Sequence, residues 1–363
     1  MPFLHPGQPV HRGLYWVARL YGLIIRFRLW CYRNGWLTAT RLPCRVMSVG
    51  NLTVGGTGKT PLVILLTEWL VAKGQKVAIL SRGYKRTSAV PYLLVSDGSR
   101  ILAGPSDAGD EPFLIAQRCP QAIVAVGADR VALGRWVLDQ YDVDCMVLDD
   151  GFQHRSLHRD LDLVLLDATD AAGLDALLPA GRLREPLEEL NRASGVIITR
   201  ADSRQDVDAI HRRLRAIAYP YEDVMEVVFR PASFMALIPG DPQPVEWGRT
   251  KTAWLVSGIG NSGSFRRSAE SIGMTILGET VFEDHHHYCD EEIRQIRAIV
   301  QANGSEIVLT TEKDGGKLSS FLRPDDSWWM LRLETDVAQG KDRLHRLIDG
   351  LPLGGRQRSG AHA

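Results

Sequence analysis

The chain has 363 residues, 45% of them hydrophobic, with 43 basic and 43 acidic side chains and a formal net charge of zero. That length suits two domains or one large one with a sizeable core, and the balanced charge argues against a nucleic-acid-binding protein. The five cysteines (Cys31, Cys44, Cys119, Cys145 and Cys289) are scattered and never spaced as CxxC, which argues against a disulfide framework or structural zinc and suits a reducing cytosol.

Charge is unevenly spread along the chain. No Asp or Glu precedes Glu68, whereas Arg12, Arg19, Arg26, Arg28, Arg33, Arg41, Arg45 and Lys59 all do, so the N-terminal region is set for an anionic surface or ligand. It lacks the short charged region and unbroken apolar run of a cleavable signal. Residues 14–37 are apolar and aromatic, but their longest uncharged apolar run, Leu20 to Ile25, falls far short of the roughly 20 residues that span a bilayer. Arg12, Arg19, Arg26 and Arg33 recur at a heptad spacing and form one basic stripe on a helix, while Trp16, Val17, Leu20, Leu23, Ile24, Phe27 and Trp30 crowd its other faces. Such a helix either lies in a membrane interface, arginines against anionic lipid, or packs on its own domain.

An apolar strand from Arg45 to Val49 then runs into Thr53-Val54-Gly55-Gly56-Thr57-Gly58-Lys59-Thr60, and a helix is expected from Lys59 to Ala72. Glycines there let backbone N–H groups converge on an anion, the helix N-terminus adds partial positive charge, Lys59 reaches the outer phosphates and Thr60 ligates Mg²⁺. The strict pattern has glycine where Thr53 stands, so an ordinary glycine-rich turn is the alternative. The chain then alternates: strands at Val77–Leu80, Tyr92–Val95, Ile123–Val126, Cys145–Leu148, Leu163–Leu166 and Val196–Thr199, with helices from Asp110 or Glu111 to Cys119 and from Val131 to Gln140. Continuous apolar strands between helices predict a mostly parallel sheet covered on both faces. Near Met225 the pattern changes. Val227–Phe229 and Phe234–Leu237 flank Arg230-Pro231 before a Pro/Gly-rich loop, which reads as a linker or small antiparallel element. A second, smaller α/β unit follows, with strands at Ala253–Ser257, Ile307–Thr310 and Trp328–Leu333 and helices from about Ser262 and over Glu291–Gln301.

Several clusters carry possible chemistry. Asp149 and Asp150 follow an apolar strand, where a carboxylate beside a phosphate loop holds Mg²⁺ or its water, or simply caps the next segment. Asp110 and Glu111 open a helix, a position that also suits plain capping. The run His285-His286-His287 lacks metal-ligand spacing and reads as a solvated loop or as one histidine orienting a carboxylate base. Arg182 and Arg184 sit in a Pro/Gly loop, and Arg82 and Arg130 follow strands; guanidinium groups there suit phosphate or substrate contacts.

Taken together, the stretches VGNLTVGGTGKTP, SRGY, GDEP, VLDDGFQH, LLPAGRLREP, FEDHHHY and TEKD occur over roughly residues 12–350. In that order they resemble the tetraacyldisaccharide 4′-kinases of lipid A biosynthesis, in which Thr53 is also usual. The resemblance implies a P-loop NTPase-like three-layer α/β/α domain with a mostly parallel sheet, a second smaller α/β domain and a two-stranded linker. The expected division is 1–38 (membrane-associating helix), 39–225 (kinase core), 226–250 (linker), 251–350 (C-terminal unit) and 351–363 (a disordered tail). It implies transfer of the γ-phosphoryl of ATP to the 4′-hydroxyl of tetraacyldisaccharide 1-phosphate, giving lipid IV-A, at the cytoplasmic face of the bacterial inner membrane. The partners expected are that lipid and the anionic membrane surface, with neither nucleic acid nor an obligate protein partner. Residues 53–60 would bind ATP, and Thr60, Glu111, Asp149 and Asp150 would serve Mg²⁺. Asp110 would be the base, oriented by His285, with Lys59 on the β/γ-phosphates and Arg82, Arg130, Arg182 and Arg184 as further contacts. Domain closure is expected to assemble the Asp110–His285 pair and exclude water. The alternative from the loop alone is a nucleotide-hydrolysing switch or metallochaperone.

Overall fold

The computed structural model describes residues 12–350; residues 1–11 and the tail expected at 351–363 lie outside the described residues. Thirteen strands form one sheet: β1 (Arg45–Asn51), β2 (Val77–Ser81), β3 (Tyr92–Asp97), β4 (Ile123–Gly127), β5 (Cys145–Asp149), β6 (Leu161–Asp167), β7 (Gly195–Thr199), β8 (Val224–Ala236), β9 (Gln243–Pro244), β10 (Thr252–Ser257), β11 (Thr275–Val281), β12 (Ile307–Thr311) and β13 (Trp328–Gln339). Their order is β11-β10-β12-β13-β8-β7-β6-β1-β5-β2-β4-β3, with β9 paired to β8.

The first half follows from its apolar runs. Every residue of β1, β2, β4, β5, β6 and β7 is buried, which only a sheet covered on both faces achieves. Alternate side chains serve opposite cores. Met47, Val49, Ile79 and Val147 meet the Lys59–Ala72 and Asp110–Arg118 helices, while Val46, Leu80 and Leu148 meet Leu133 and Val137 of the Arg130–Leu138 helix. These strands pair in parallel, and only edge strand β3 runs antiparallel.

The join between the halves departs from the expected linker. The two segments flanking Arg230-Pro231 form one strand, β8, which pairs parallel with β7 and antiparallel with β13 from Glu226↔Gln339 to Ala236↔Trp329. Pro231 cannot donate to the ladder, and the register shifts beside its pairing with Leu333. The second linker strand is therefore β13, from the far end of the chain. After it the Lys341–Asp349 helix returns Leu344 and Ile348 to the core under the phosphate loop, so this helix belongs with the first half and not with the second unit. Strand β11 escaped the pattern because it is an edge strand with alternate residues exposed; its Gly278 admits the Trp254 ring, which a Cβ would meet at 2.2 Å.

The Tyr15–Arg33 helix docks through Ala18, Gly22, Leu29 and Cys31, which are buried, and a Cβ on Gly22 would meet Leu177 at 2.8 Å. Tyr21 donates from its hydroxyl to the Arg184 carbonyl at 2.8 Å, and Arg33 pairs with Glu189. Its outer face leaves Trp16, Leu20, Leu23, Ile24 and Phe27 at 60% exposure or more. No described helix is long and apolar enough to cross a membrane.

Candidate active site

The parallel strands β1, β2, β4, β5, β6 and β7 deliver their C-terminal ends to one edge of the sheet, where ligands bind in open α/β folds. The phosphate loop leaves β1 there and reaches the Lys59–Ala72 helix through Gly58 at φ 82. Gly58 has two reasons to lack a side chain: its φ is left-handed, and a Cβ would strike the Phe229 ring at 2.4 Å. The carbonyls of the loop are held by the protein. Arg182 donates to the Val54 oxygen at 2.8 Å, Arg200 to the Gly56 oxygen at 3.0 Å and Thr199 Oγ1 to the Thr57 oxygen at 2.9 Å. Engaging these oxygens removes competition for an anion facing the loop's N–H groups. Lys59 Nζ lies 3.4 Å from Asn51 Oδ1 and 3.8 Å from Asp150 Oδ1.

Asp149 and Asp150 end β5 but part ways. Asp149 is buried; it accepts from Ser81 Oγ at 3.0 Å, while its Oδ1 has no hydrogen-bond partner. Burial first, then the charge of Glu111, push its carboxyl up to about 7, against the pull of Lys59. Asp150 takes φ 58, an uncommon value for a non-glycine residue, and accepts from Arg184 at 3.0 and 2.9 Å. Burial opposes its ionisation, but Lys59 and Arg184 outweigh that and hold its carboxyl well below the usual range.

Asp110 opens its helix after Gly109 at φ 94. Its Oδ2 lies 3.1 Å from His285 Nδ1 and 3.0 Å from Lys317 Nζ. Burial raises its pKa, but the hydrogen bond with His285 and the charge of Lys317 prevail, and the carboxyl is held below its ordinary value. The pair thus spans the two halves of the molecule and is in contact in this structure. Of the three histidines only His285 reaches Asp110: His286 stacks on Phe282 at 4.4 Å and contacts Glu292 at 2.9 Å, and His287 is exposed. Beside the pair lies a cavity of about 330 Å³, lined among others by Tyr84, Lys85, Asp110, His285, Tyr288 and Lys317.

The four arginines do not converge. Arg184 reads Asp150 and Asn51, and Arg182 is buried between the Val54 carbonyl and Asp170, 3.2 Å away. Arg130 is buried, donates to the Gly127 and Ala128 carbonyls, and is pushed down to about 10 by burial and by Arg82; Arg82 itself is exposed. Glu111 faces Lys313 at 3.8 Å. Sequence reasoning missed Lys313 and Lys317, which stand one turn apart on the Glu312–Leu318 helix, and also Asn51, Ser81 and Arg200. The TEKD stretch signalled the first lysine, and its i, i+4 spacing to Lys317 signalled the second.

A phosphate loop and a hydrogen-bonded carboxylate on one sheet edge define a P-loop phosphotransferase. The family model for tetraacyldisaccharide-1-P 4′-kinase matches residues 10–351, and the chain belongs to that family. It is accordingly an enzyme, a kinase of the lipid A pathway, and not a nucleotide switch or metallochaperone. A tetraacyldisaccharide 4′-kinase of Anaeromyxobacter sp. (strain Fw109-5) is 37% identical over 318 residues, 88% of this chain and 85% of that one. One from Geobacter sulfurreducens is 38% identical over 306 residues, 84% of this chain and 83% of its own length. The crystal structure of LpxK from Aquifex aeolicus in complex with ATP matches with a TM-score of 0.76 at 33% identity, covering 93% of this chain and 98% of that one.

Proposed function

We propose that the chain moves the γ-phosphoryl of ATP to the 4′-hydroxyl of tetraacyldisaccharide 1-phosphate, giving lipid IV-A, at the cytoplasmic face of the inner membrane. The observation that carries this reading is Asp110, held ionised by His285 and Lys317 on the same sheet edge as the phosphate loop. The ATP complex of the Aquifex relative supports the choice of nucleotide.

In this reading the N–H groups of residues 53–60 bind the phosphates, and Lys59 offsets charge on the β/γ oxygens. The sugar oxygen bonds to the γ-phosphorus as the bridging bond to ADP breaks, and the hydroxyl proton passes to Asp110. A carboxylate of low basicity suffices, because the loose transition state of phosphoryl transfer asks mainly for positioning and late proton removal. His285 and Lys317 fix the carboxylate while its helix aims it.

The residues present fit Mg²⁺. Asp149 Oδ1 is a buried oxygen without a partner, and after burial the charges of Glu111 and Asp150 raise the cost of ionising Asp149, a cost that a bound cation would offset. Among the described residues no three His, Cys, Asp or Glu side chains form a ready cage, in keeping with an ion held by one or two carboxylates, Thr60 and phosphate. Bound there, the ion would offset charge on the transferring phosphoryl. The exposed apolar face of the Tyr15–Arg33 helix, flanked by Arg19, Arg26 and Arg33, supports the membrane assignment.

The test is incubation of the purified protein with ATP, Mg²⁺ and the tetraacyldisaccharide 1-phosphate in detergent micelles, read by mass spectrometry. The lipid gains one phosphate; an unchanged lipid mass refutes the reading.

A further inference from the structure

We propose that Lys313 is a positioning residue for this reaction: it holds His285 in the tautomer whose proton sits on Nδ1 and points at Asp110. His285 is buried, and both of its ring nitrogens are engaged. Nδ1 lies 3.1 Å from Asp110 Oδ2, and Nε2 lies 3.1 Å from Lys313 Nζ. A lysine ammonium has three donors and no acceptor, so it donates to Nε2. That nitrogen must present its lone pair, and the single ring proton is left on Nδ1, aimed at the carboxylate.

Lys313 is built to stay in place and charged. It donates to Asp284 Oδ1 at 2.8 Å and lies 3.8 Å from Glu111. Asp314, one residue on, is fully buried; it accepts from Gly258 N–H at 2.9 Å and from Thr311 Oγ1 at 2.7 Å, which pins the start of the lysine-bearing helix.

The other groups facing His285 are few. Asp284, on its own loop, has Oδ2 3.8 Å from Nε2. From the Asp110–Arg118 helix comes Asp110, and from the Glu312–Leu318 helix come Lys313 and, through Asp110, Lys317. Tyr84, after β2, sets its ring edge-on at 5.1 Å, and Lys85 donates to the Asp284 carbonyl at 3.1 Å. Without Lys313, both ring nitrogens would face carboxylates, and the cation in contact with the ring, which opposes a second ring proton, would be gone. An imidazolium would then bind Asp110 as a full ion pair and weaken its capacity to accept the sugar proton.

This inference rests on the acceptor role given to Asp110, but its readout does not. The protein is labelled with ¹⁵N-histidine, and the His285 ring signals are assigned by their loss in His285→Gln. At neutral pH the wild-type protein shows a protonated Nδ1 and a lone pair on Nε2; Lys313→Met adds a proton at Nε2 and lowers kcat about 10- to 100-fold, less than the roughly 10²- to 10⁴-fold of losing the base itself. Lys313→Arg, which keeps a donor-only cation, restores the Nε2 lone pair. A protonated Nε2 in the wild type, or identical ring signals in Lys313→Met, overturns the proposal. If Lys313→Met does not fold, the wild-type spectrum alone decides. Full activity in Asp110→Asn with the tautomer intact would instead remove the acceptor role and leave the tautomer assignment standing.

Discussion

Adjacent residues in this site behave as opposites because the backbone sends them different ways. Asp149 ends β5 inside the sheet, where burial and Glu111 push its carboxyl up to about 7; Asp150 turns out at φ 58 to Lys59 and Arg184 and stays ionised. The sequence showed two acids after an apolar strand but not which one is buried, since that depends on one left-handed residue. His154, in the same loop, adds a pH effect. Burial first, and then Arg130, push its ring down to about 4. The unfolded chain takes up this proton near 6.5 and the folded chain only near 4, so acid favours unfolding and stability is lost as pH falls through that window. Replacing His154 with Gln removes this loss, so the wild type loses stability relative to the variant as pH falls from about 6.5 to 4. The effect is at most about 2 kcal/mol, below the full shift because the ring is partly solvated. Parallel melting curves for the two proteins across that window contradict the assignment.

At the scale of elements, the phosphate loop and the N-terminal helix depend on neighbours that local sequence does not reveal. The GRLREP arginines read as substrate contacts, yet Arg182 braces the loop through the Val54 carbonyl, and Gly55 lacks the Cβ that would meet its guanidinium at 2.5 Å. Arg182→Met is expected to raise the ATP KM about tenfold or more, the value of a lost charged hydrogen bond, with a smaller change in kcat. The helix was legible as amphipathic from its arginine spacing. Its docking face was not, because Ala18 and Gly22, two of its four buried residues, carry no signal of their own. Ile24 and Phe27 are 60% and 61% exposed and make no core. Replacing both with Glu should lower binding to anionic vesicles at least tenfold in a sedimentation assay while leaving the melting temperature unchanged. A large drop in melting temperature would mean that this face packs on protein instead.

For the whole molecule, the alternation of strands and helices was legible because fully buried parallel strands write themselves as unbroken apolar runs. The union of both halves in one sheet was not, since β8 meets β13 across about a hundred residues and Arg230-Pro231 hides the continuity of β8. Nor did periodicity show that Asp110 and His285, 175 residues apart, would touch; only the resemblance paired them. Their contact ties the chemistry to the joint between the halves, along with Arg200, which reaches the loop at Gly56, Asp167 on β6 and Ser264 of the second half. The most direct test of this arrangement is a single-turnover measurement of phosphoryl transfer from ATP to the tetraacyldisaccharide 1-phosphate by wild type, Asp110→Asn, His285→Gln and the double variant. The expected result is a fall of about 10²- to 10⁴-fold in the transfer rate for Asp110→Asn, a smaller fall for His285→Gln, little change in ATP affinity, and a double variant no slower than Asp110→Asn. Unchanged transfer rates with weakened ATP binding, or losses that multiply in the double variant, would contradict a base made by these two residues acting together.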